Sequence, residues 1–296
     1  MLHRCLLRGL PLLTATAIAY PAMGLSIRDD LTFTPYETQV NTSPYSASGQ
    51  FNTSHSGTLI APNWVLASAH GGNAATFTAS DGTVANVIQR IVFPGDTSAG
   101  NAFDGNDFAL FQLDASINSV TAATLHDPTA TGVSYVDLLT DITNLTAVYG
   151  GGGETGTGDV GAAASGSRDI LAGTNIIDST GYDFGSGTIS NIAVSDFDSP
   201  STFGPDNDAG TSLEMGLANR DSGGGLWVDI GDGPVLIGVH SGITDDGDGI
   251  LGEYGQLNFS TVLTTDAYNW AISTVPEPTS LAMLVLGGAL LARRRR

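Results

Sequence analysis

Lysine is absent from this 296-residue chain, and positive charge is scarce in its central part. Residues 25–274 contain only four arginines but 29 of the chain's 30 acidic residues, a formal charge of −25. The arginines are Arg28, Arg90, Arg168 and Arg220. Such a surface repels the phosphates of nucleic acids and of anionic lipids. We therefore expect no nucleic-acid partner, and contact with a membrane only through the C-terminal segment.

Cysteine occurs once, as Cys5, so no disulfide can form within residues 25–274. The core of this region must be held by packing or by bound metal ions. The densest acidic run, residues 245–249, could supply oxygen ligands to calcium. Its spacing does not fit an EF-hand loop, so we interpret it as a solvated loop and keep calcium as the alternative. No group of residues has zinc spacing, and we assign no metal ligand and no other cofactor.

Long apolar runs are also missing. Residues 1–24 carry two arginines, then an apolar stretch and small residues, which is the layout of a secretory signal peptide. Near the other end, the apolar run of residues 281–292 is shorter than the roughly 20 residues of a stable membrane span. Four arginines follow this run and would hold the far end of the chain in the cytoplasm.

The C-terminal residues 275–296 resemble the PEP-CTERM sorting signal of Gram-negative bacteria. Pro276, Glu277 and Pro278 match its motif, and a short transmembrane helix and the arginines complete it. The resemblance implies export and handling by an exosortase. A crude C-terminal anchor is the plainer alternative, and either interpretation places residues 25–274 in the secreted fraction or on the cell surface.

Between the terminal signals, short apolar runs alternate with Gly, Asn, Asp, Ser and Thr, and helical periodicity is nearly absent before Thr264. Residues 220–225 read RDSGGG, which suggests a serine nucleophile in a turn that glycines keep clear for a substrate backbone. In a chain with 39 glycines, such a run is more often an ordinary loop. The two segments that precede it decide between these interpretations.

A histidine and an aspartate lie upstream in matching contexts. Residues 56–70 predict two short apolar strands around a Pro-Asn turn, and they end on His70. Asp107 stands at the start of the alternating strand of residues 108–113. The order His, Asp, Ser excludes an α/β-hydrolase, in which the serine comes first, and Arg220 breaks the G-x-S-x-G pattern of that fold.

These three segments resemble the trypsin/chymotrypsin-like serine peptidase family. Three further stretches, residues 149–155, 235–242 and 254–272, resemble its glycine loop, its substrate-side strand and its closing strand with helix. The resemblance implies an all-β fold of two six-stranded antiparallel Greek-key barrels with a short C-terminal helix. We expect residues 25–274 to form this peptidase domain, with one cleft between its barrels.

The resemblance also implies roles for individual residues. Ser222 would be the nucleophile, His70 the general base and Asp107 the group that orients the imidazole. The backbone N–H groups of Arg220 and Ser222 would form the oxyanion hole. By the same analogy, three more residues have supporting roles: Asp221 would pair with a freed N-terminal amine, Ser241 would support Asp107, and Gly216 would form the base of the primary pocket.

The chain departs from the family in several places. Arg220 stands where glycine is usual, and its β-carbon would favour a flip of the preceding peptide, so Arg220→Gly should raise the rate at least tenfold. No Ile-Val-Gly-Gly start is present, and residues 25–27 are the best candidate for an inserting terminus. Gly71 and Ala218 occupy positions where half-cystines are common. The pocket lacks a suitably placed acid, since Glu214 is shifted by two positions, so we expect an uncharged substrate side chain.

The remaining histidines have less specific interpretations. We expect His55 and His126 on the surface or in turns, whereas a structural and a binding role are equally open for His240. Two functions follow from the whole sequence. The first is an extracytoplasmic serine endopeptidase that acts on proteins or peptides, and the alternative is a catalytically impaired, peptidase-like surface protein that binds peptide or matrix.

Overall fold

The structure, a computed structural model, describes residues 25–52, 55–96, 103–128, 135–162, 169–185, 187–200, 210–245 and 247–276. The predicted signal peptide therefore lies outside the described residues. The same is true of Glu277, Pro278 and the predicted short transmembrane helix. No helix within the described residues is both long enough and apolar enough to cross a membrane.

Strands are the main regular elements in the described part of the chain, as predicted. In the first half the elements are β1 (Leu25–Ile27), α1 (Thr34–Val40), β2 (Ser48–Phe51), β3 (Ser56–Ala61), β4 (Trp64–Ala67), β5 (Thr76–Ala79), β6 (Val84–Val92) and β7 (Ala109–Leu113). In the second half they are α2 (Tyr135–Asp141), β8 (Thr146–Gly151), β9 (Thr155–Thr157), β10 (Gly161–Ala162), β11 (Leu171–Ile176), β12 (Ser179–Asp183), β13 (Thr188–Asp196), β14 (Met215–Gly216), β15 (Gly225–Asp229), β16 (Pro234–Ile243), β17 (Leu257–Val262) and α3 (Thr265–Thr274).

The first barrel has the six antiparallel strands that the sequence predicts, in the closed order β2-β3-β4-β7-β6-β5. The Pro-Asn turn joins β3 to β4, with Ala61 opposite Trp64. Phe51, Phe77 and Phe111 fill the interior and are fully buried. The Phe51 ring centroid lies 5.2 Å from that of Phe77 and 4.5 Å from that of Phe111, within the range in which aromatic pairs attract. Packing of this kind does the work that disulfides do in small secreted domains.

The second half is more elaborate than a plain six-stranded barrel. A seven-stranded antiparallel sheet runs in the order β11-β8-β15-β16-β17-β13-β12. A smaller sheet, β10-β9-β1-β14, holds β1 between β9 and β14. The additional edge strand, β12, results from a tight hairpin with β13. The overall prediction of an all-β double-barrel fold with a final short helix is confirmed.

Three loops share the pattern Asp-x-Gly-x-Gly, in which the aspartate caps its own loop. An Oδ1 atom of Asp183, Asp229 and Asp245 accepts the N–H groups two and four residues further on, at 2.8–3.2 Å. The glycines at these positions have φ between 82° and 124°, which glycine adopts without strain. The Asp245 carboxylate therefore serves its own loop. No group of three potential metal ligands is arranged to hold an ion among the described residues, which do not include Asp246.

The final helix α3 closes the first barrel. Its N-cap hydroxyl, on Thr264, accepts the N–H of Ala267 at 3.1 Å, which satisfies one of the free donors at the helix start. Ala267 and Ala271 are fully buried in the same core as the barrel interior. Trp270 packs on Phe93 with ring centroids 5.3 Å apart. The C-terminal segment therefore leaves the domain from the surface of the first barrel.

His55 and His126 are buried, contrary to the expectation of surface positions. The His55 ring is fully buried and lies 4.4 Å from the Phe51 ring, so it packs as an aromatic residue. A β-carbon on Gly71 would be only 2.4 Å from Cγ of His55. His126 is 4% exposed, and burial lowers its pKa. The sequence-based expectation failed because an imidazole ring in a polar stretch can still pack flat inside a barrel.

The contact between His55 and Gly71 suggests a stability test. We expect the double variant His55→Cys, Gly71→Cys to form a disulfide, because the two side chains would share one space and a bridge needs β-carbons about 3.5–4.5 Å apart. A closed loop of this size should stabilise the fold by about 3 kcal/mol. The measurement is thermal unfolding of the full chain with and without reductant. The reduced double variant is the matched control, and equal melting of both forms would contradict the expectation.

Candidate active site

His70 and Asp107 are brought together by two neighbouring strands. β4 and β7 pair with Ala67 opposite Ala109, so the residues just beyond these positions meet at one edge of the barrel. The Asp107 carboxylate is fully buried. Its Oδ2 lies 2.6 Å from Nδ1 of His70, and its Oδ1 accepts the His70 backbone N–H at 2.8 Å. This double contact fixes the ring and places a proton on Nδ1, which leaves Nε2 free to accept another.

Arg90 supports this pair from behind, which the sequence did not indicate. Its guanidinium donates to the carbonyl oxygen of Ala69 at 2.5 Å, directly before His70 in the chain. The same group lies 5.9 Å from the centroid of the Phe111 ring. Burial lowers the pKa of Arg90, while the charge of Asp107 opposes that shift. Arg90 is half-buried, and the only signal available in the sequence was its rarity, as one of four arginines in residues 25–274.

The turn that carries Ser222 is hydrogen-bonded to strands of both sheets. On one side, the Ser56 N–H of β3 donates to the carbonyl oxygen of Ser222 at 2.8 Å. On the other side, the His240 carbonyl of β16 accepts the Gly223 N–H at 2.7 Å, and the His240 N–H donates to the Gly224 carbonyl at 2.8 Å. Three backbone hydrogen bonds therefore fix the turn at the boundary between the sheets.

Gly223 and Gly224 make room for the protein's own backbone rather than for a substrate. A β-carbon on Gly223 would lie 2.4 Å from the Ser56 carbonyl oxygen and 2.8 Å from the Ser68 nitrogen. One on Gly224 would lie 2.2 Å from the Gly150 carbonyl oxygen. The close approach to Ser68, two residues before His70, puts the serine turn against the segment that leads to the histidine. Ser222 and His70 nevertheless form no hydrogen bond within the described residues, and such bonds are often long before substrate binds.

Arg220 adopts the left-handed conformation with a φ of 74°, which costs a residue with a β-carbon roughly 1–2 kcal/mol. The carbonyl of Asn219 accepts the Glu154 N–H at 2.7 Å. Because the two polar groups of a trans peptide point in opposite directions, the Arg220 N–H faces away from Glu154. The N–H groups of Arg220 and Ser222 have no hydrogen-bond partner in the described part of the chain. The flip of this peptide that the sequence suggested is therefore not observed.

Asp221 ties the serine turn to the loop after β8. Its fully buried carboxylate accepts the Gly153 N–H through Oδ1 and the Ala218 N–H through Oδ2, both at 2.8 Å. The expected pairing with a free N-terminal amine concerns residues at or before Leu25, where the described part of the chain begins. The observed bonds give Asp221 a supporting place in the turn through backbone donors.

A pocket of about 80 Å³ opens beside Ser222. Its walls are residues 217–222 together with Gly242, Ile243 and Leu251. Gly216, expected at the base, lies one residue outside this wall, on β14, where a β-carbon would meet the Phe197 ring at 2.6 Å. Among the described residues, Asp221 has the only carboxylate on the pocket wall, and two backbone donors already bind it.

Ser241 forms no hydrogen bond with Asp107 in the described part of the chain. Its hydroxyl lies 2.6 Å from that of Thr261. The reason is a bulge in β16, where the register against β17 shifts between His240 and Gly242 and leaves Ser241 unpaired. A bulge of this kind turns a side chain away from its expected direction.

His240 is structural in this geometry. The ring is fully buried, lies 4.8 Å from the Tyr149 ring and places Nδ1 2.9 Å from the Ser260 hydroxyl. Burial lowers its pKa to about 3, so the ring is neutral at ordinary pH. It is absent from the pocket wall described above.

The fold is that of trypsin-like serine proteases, as comparison with solved structures shows. A Glu endopeptidase, solved in complex with MPD, has 17% sequence identity and a TM-score of 0.50, covering 79% of this chain and 93% of its own. Neuropsin, a serine protease expressed in the limbic system of mouse brain, has 15% identity and a TM-score of 0.53, covering 77% and 94% respectively. At these identities the likeness establishes the fold alone.

The C-terminal resemblance is confirmed by a family model. Residues 274–296 match the PEP-CTERM protein-sorting motif. The motif marks an exported protein directed to the cell envelope of Gram-negative bacteria, and it implies recognition by exosortase sorting machinery. No curated protein sequence matches the chain.

Glu214 provides a test of the electrostatics beneath the pocket. Its carboxylate is 1% exposed, faces Asp198 and Asp196, and accepts two hydrogen bonds from Thr211, so it does not lie on the pocket wall. Burial, and then the two aspartates, raise its pKa to about 8, against the opposing effect of the bonds from Thr211. The folded state therefore keeps a proton that the unfolded state releases near pH 4.5.

We expect the free energy of unfolding to fall as pH rises from about 4.5 to about 8, by up to about 1.4 kcal/mol per pH unit from this group. Glu214→Gln mimics the protonated acid and should remove this part of the slope. Urea unfolding at pH 5 and pH 8 measures it, with Glu37→Gln as the matched control. Identical slopes in the Glu214 variant and the wild type would refute the assignment.

Proposed function

We propose that the chain is an exported serine endopeptidase in which Ser222 is the nucleophile, His70 the general base and Asp107 the group that orients the imidazole. The observation that carries this proposal is the double contact between His70 and the buried Asp107, next to a serine turn fixed by both sheets. The fold shared with serine proteases supports it.

In the proposed reaction, Oγ of Ser222 attacks the carbonyl carbon of the scissile peptide bond while Nε2 of His70 takes the hydroxyl proton. His70 then returns this proton to the leaving amine as the C–N bond breaks. Water hydrolyses the resulting ester by the same route. The free N–H groups of Arg220 and Ser222 would stabilise the oxyanion, and each such donor is typically worth about 10²–10³ in rate.

The substrate would be a protein or peptide with a small, uncharged side chain before the cleaved bond. A pocket of about 80 Å³ is small beside the roughly 300–1,000 Å³ of typical ligand pockets, and Leu217, Ile243 and Leu251 contribute apolar side chains to its wall. The described pocket wall offers no spare acid to a lysine or arginine side chain, because the Asp221 carboxylate already binds two backbone donors.

The proposed location is the cell envelope or the medium of a Gram-negative bacterium. An exosortase would read Pro276, Glu277 and Pro278, and the following apolar segment would serve as a transient or retained anchor. We propose residues 1–24 as the signal peptide and residues 25–274 as the peptidase domain. The membrane would then be contacted only through residues 275–296.

A surface protein that binds peptide without efficient turnover is the second candidate. The absence of a hydrogen bond between Ser222 and His70 in the described residues is the observation that favours it. It shares the pocket and the export signal with the first candidate, so only reactivity at Ser222 separates the two.

Labelling with a fluorophosphonate tests this choice. We expect the full chain to be labelled at Ser222, because a serine activated by His70 attacks the phosphorus atom as it would a carbonyl. Mass spectrometry identifies the modified residue. Ser222→Ala should abolish labelling, whereas Ser241→Ala, the matched control, should retain it. No labelling, together with no cleavage of a diverse peptide library, would sink the enzyme proposal and leave the binding protein.

Pocket size gives a second test of the same proposal. Ile243→Gly should enlarge the pocket and shift the ratio of kcat/KM from small toward large apolar side chains by about 10–200-fold, the range typical for one methylene group or more. The conservative Ile243→Val should shift the ratio much less. Kinetics with a peptide series that varies only this side chain measures it, and an unchanged ratio would contradict the assignment of the pocket.

A further inference from the structure

Arg220 needs an external constraint, because the left-handed conformation is one that residues with a β-carbon rarely keep unless their surroundings enforce it. The N–H of this residue is one of the two oxyanion donors in the proposed function. Whatever holds Arg220 in place therefore also determines whether that donor is available.

Glu154, in the loop between β8 and β9, contacts the carbonyl of the peptide that joins Asn219 to Arg220 and the side chains of both residues. Oε1 of Glu154 lies 3.3 Å from Nε of Arg220, and Oε2 accepts a hydrogen bond from the side-chain Nδ2 of Asn219 at 3.2 Å. The backbone N–H of Glu154 donates to the Asn219 carbonyl at 2.7 Å. Glu154 thus contacts the backbone carbonyl of Asn219 and the side chains of both Asn219 and Arg220.

The Glu154 side chain is paired with Arg220 and lies deeper in the protein than the arginine does. The Glu154 side chain is only 5% exposed, whereas that of Arg220 is 37% exposed. A buried carboxylate needs a charged or hydrogen-bonded partner. Within the described part of the chain, Arg220 is the only cationic side chain that forms an ion pair with it. A glycine at position 220 would therefore leave the buried Glu154 carboxylate without its ion pair, with the Asn219 side-chain amide as its remaining partner among the described residues.

The neighbouring residues hold the backbone but not the arginine. Gly152 N–H donates to Oγ of Ser56, which in turn donates to the Arg220 carbonyl at 3.1 Å. Gly153 N–H binds the Asp221 carboxylate. These contacts would remain with any residue at position 220, so the Glu154 side chain is the part of the loop that is specific to arginine.

We propose that Glu154 is a positioning residue that acts through Arg220: the ion pair holds Arg220 left-handed and so keeps its N–H available to the oxyanion. This inference rests on the proposed function. It reverses the expectation that Arg220 impairs the site, because the arginine and the glutamate together replace the glycine of the resembled family.

The test is a cycle of variants in the full chain, followed by kcat and KM on a chromogenic peptide ester. We expect Glu154→Gln to lower kcat about tenfold with little change in KM, a loss of about 1.4 kcal/mol in transition-state stabilisation. Arg220→Gly should also lower kcat, because Glu154 loses its partner. The double variant, with a neutral amide and a flexible glycine, should recover most of the wild-type kcat. Asp30→Asn, which breaks the exposed pair with Arg28, is the matched control and should leave kcat unchanged.

Thermal unfolding of the wild type, the two single variants and the double variant separates this inference from the proposed function. Arg220→Gly should raise the melting temperature in the Glu154→Gln background but not in the wild type. If the two substitutions have non-additive effects on the melting temperature but no protein hydrolyses the ester, the proposed enzyme function is wrong and the interaction between Glu154 and Arg220 stands. If the wild type is active and the effects of the two substitutions simply add in both kcat and melting temperature, the positioning role of Glu154 is wrong and the proposed function stands.

Discussion

Most of this structure depends on one constraint, the three backbone hydrogen bonds that fix the Ser222 turn between the two sheets. Ser56 from one sheet and His240 from the other bind the two polar groups of the same peptide, which joins Ser222 to Gly223, and His240 also binds the Gly224 carbonyl. Any change in how the two sheets pack would therefore move the serine relative to His70. The glycines after Ser222 follow from the same constraint, since a β-carbon at either position would collide with backbone atoms of a neighbouring strand.

Scarcity of positive charge shapes how the acidic residues are used. Each arginine with a described side chain has a specific partner: Arg28 binds Asp30, Arg90 binds a backbone carbonyl beside His70, and Arg220 binds Glu154. Most acids must therefore find backbone donors. Asp221 takes two N–H groups in the buried turn, and the Asp-x-Gly-x-Gly loops do the same at the surface. Backbone N–H groups can satisfy a carboxylate without any cation, which lets residues 25–274, with a formal charge of −25, bury some of their acids.

The sequence predicted those features that depend on local pattern and on strand order. The Pro-Asn hairpin, the strand after Asp107 and the glycine-rich turn each have a clear local signature, and strand pairing then brings His70 to Asp107. Features that depend on contacts formed only in the folded chain were not predicted. Glu154 meets Arg220 across 66 positions, the burial of His55 depends on Phe51 and Gly71, and the bulge at Ser241 exists only in the register of two strands.

The first described strand links these distant parts to the site. β1 pairs with β9 on one side and with β14 on the other, so Leu25 lies opposite Thr155 and Ser26 opposite Gly216. The loop that holds Arg220 ends where β9 begins, and the pocket wall begins where β14 ends. Residues 25–27 therefore fasten both segments whose relative position sets the direction of the Arg220 peptide. Since all three are buried, the strand forms part of the core beneath the site rather than a loose terminus.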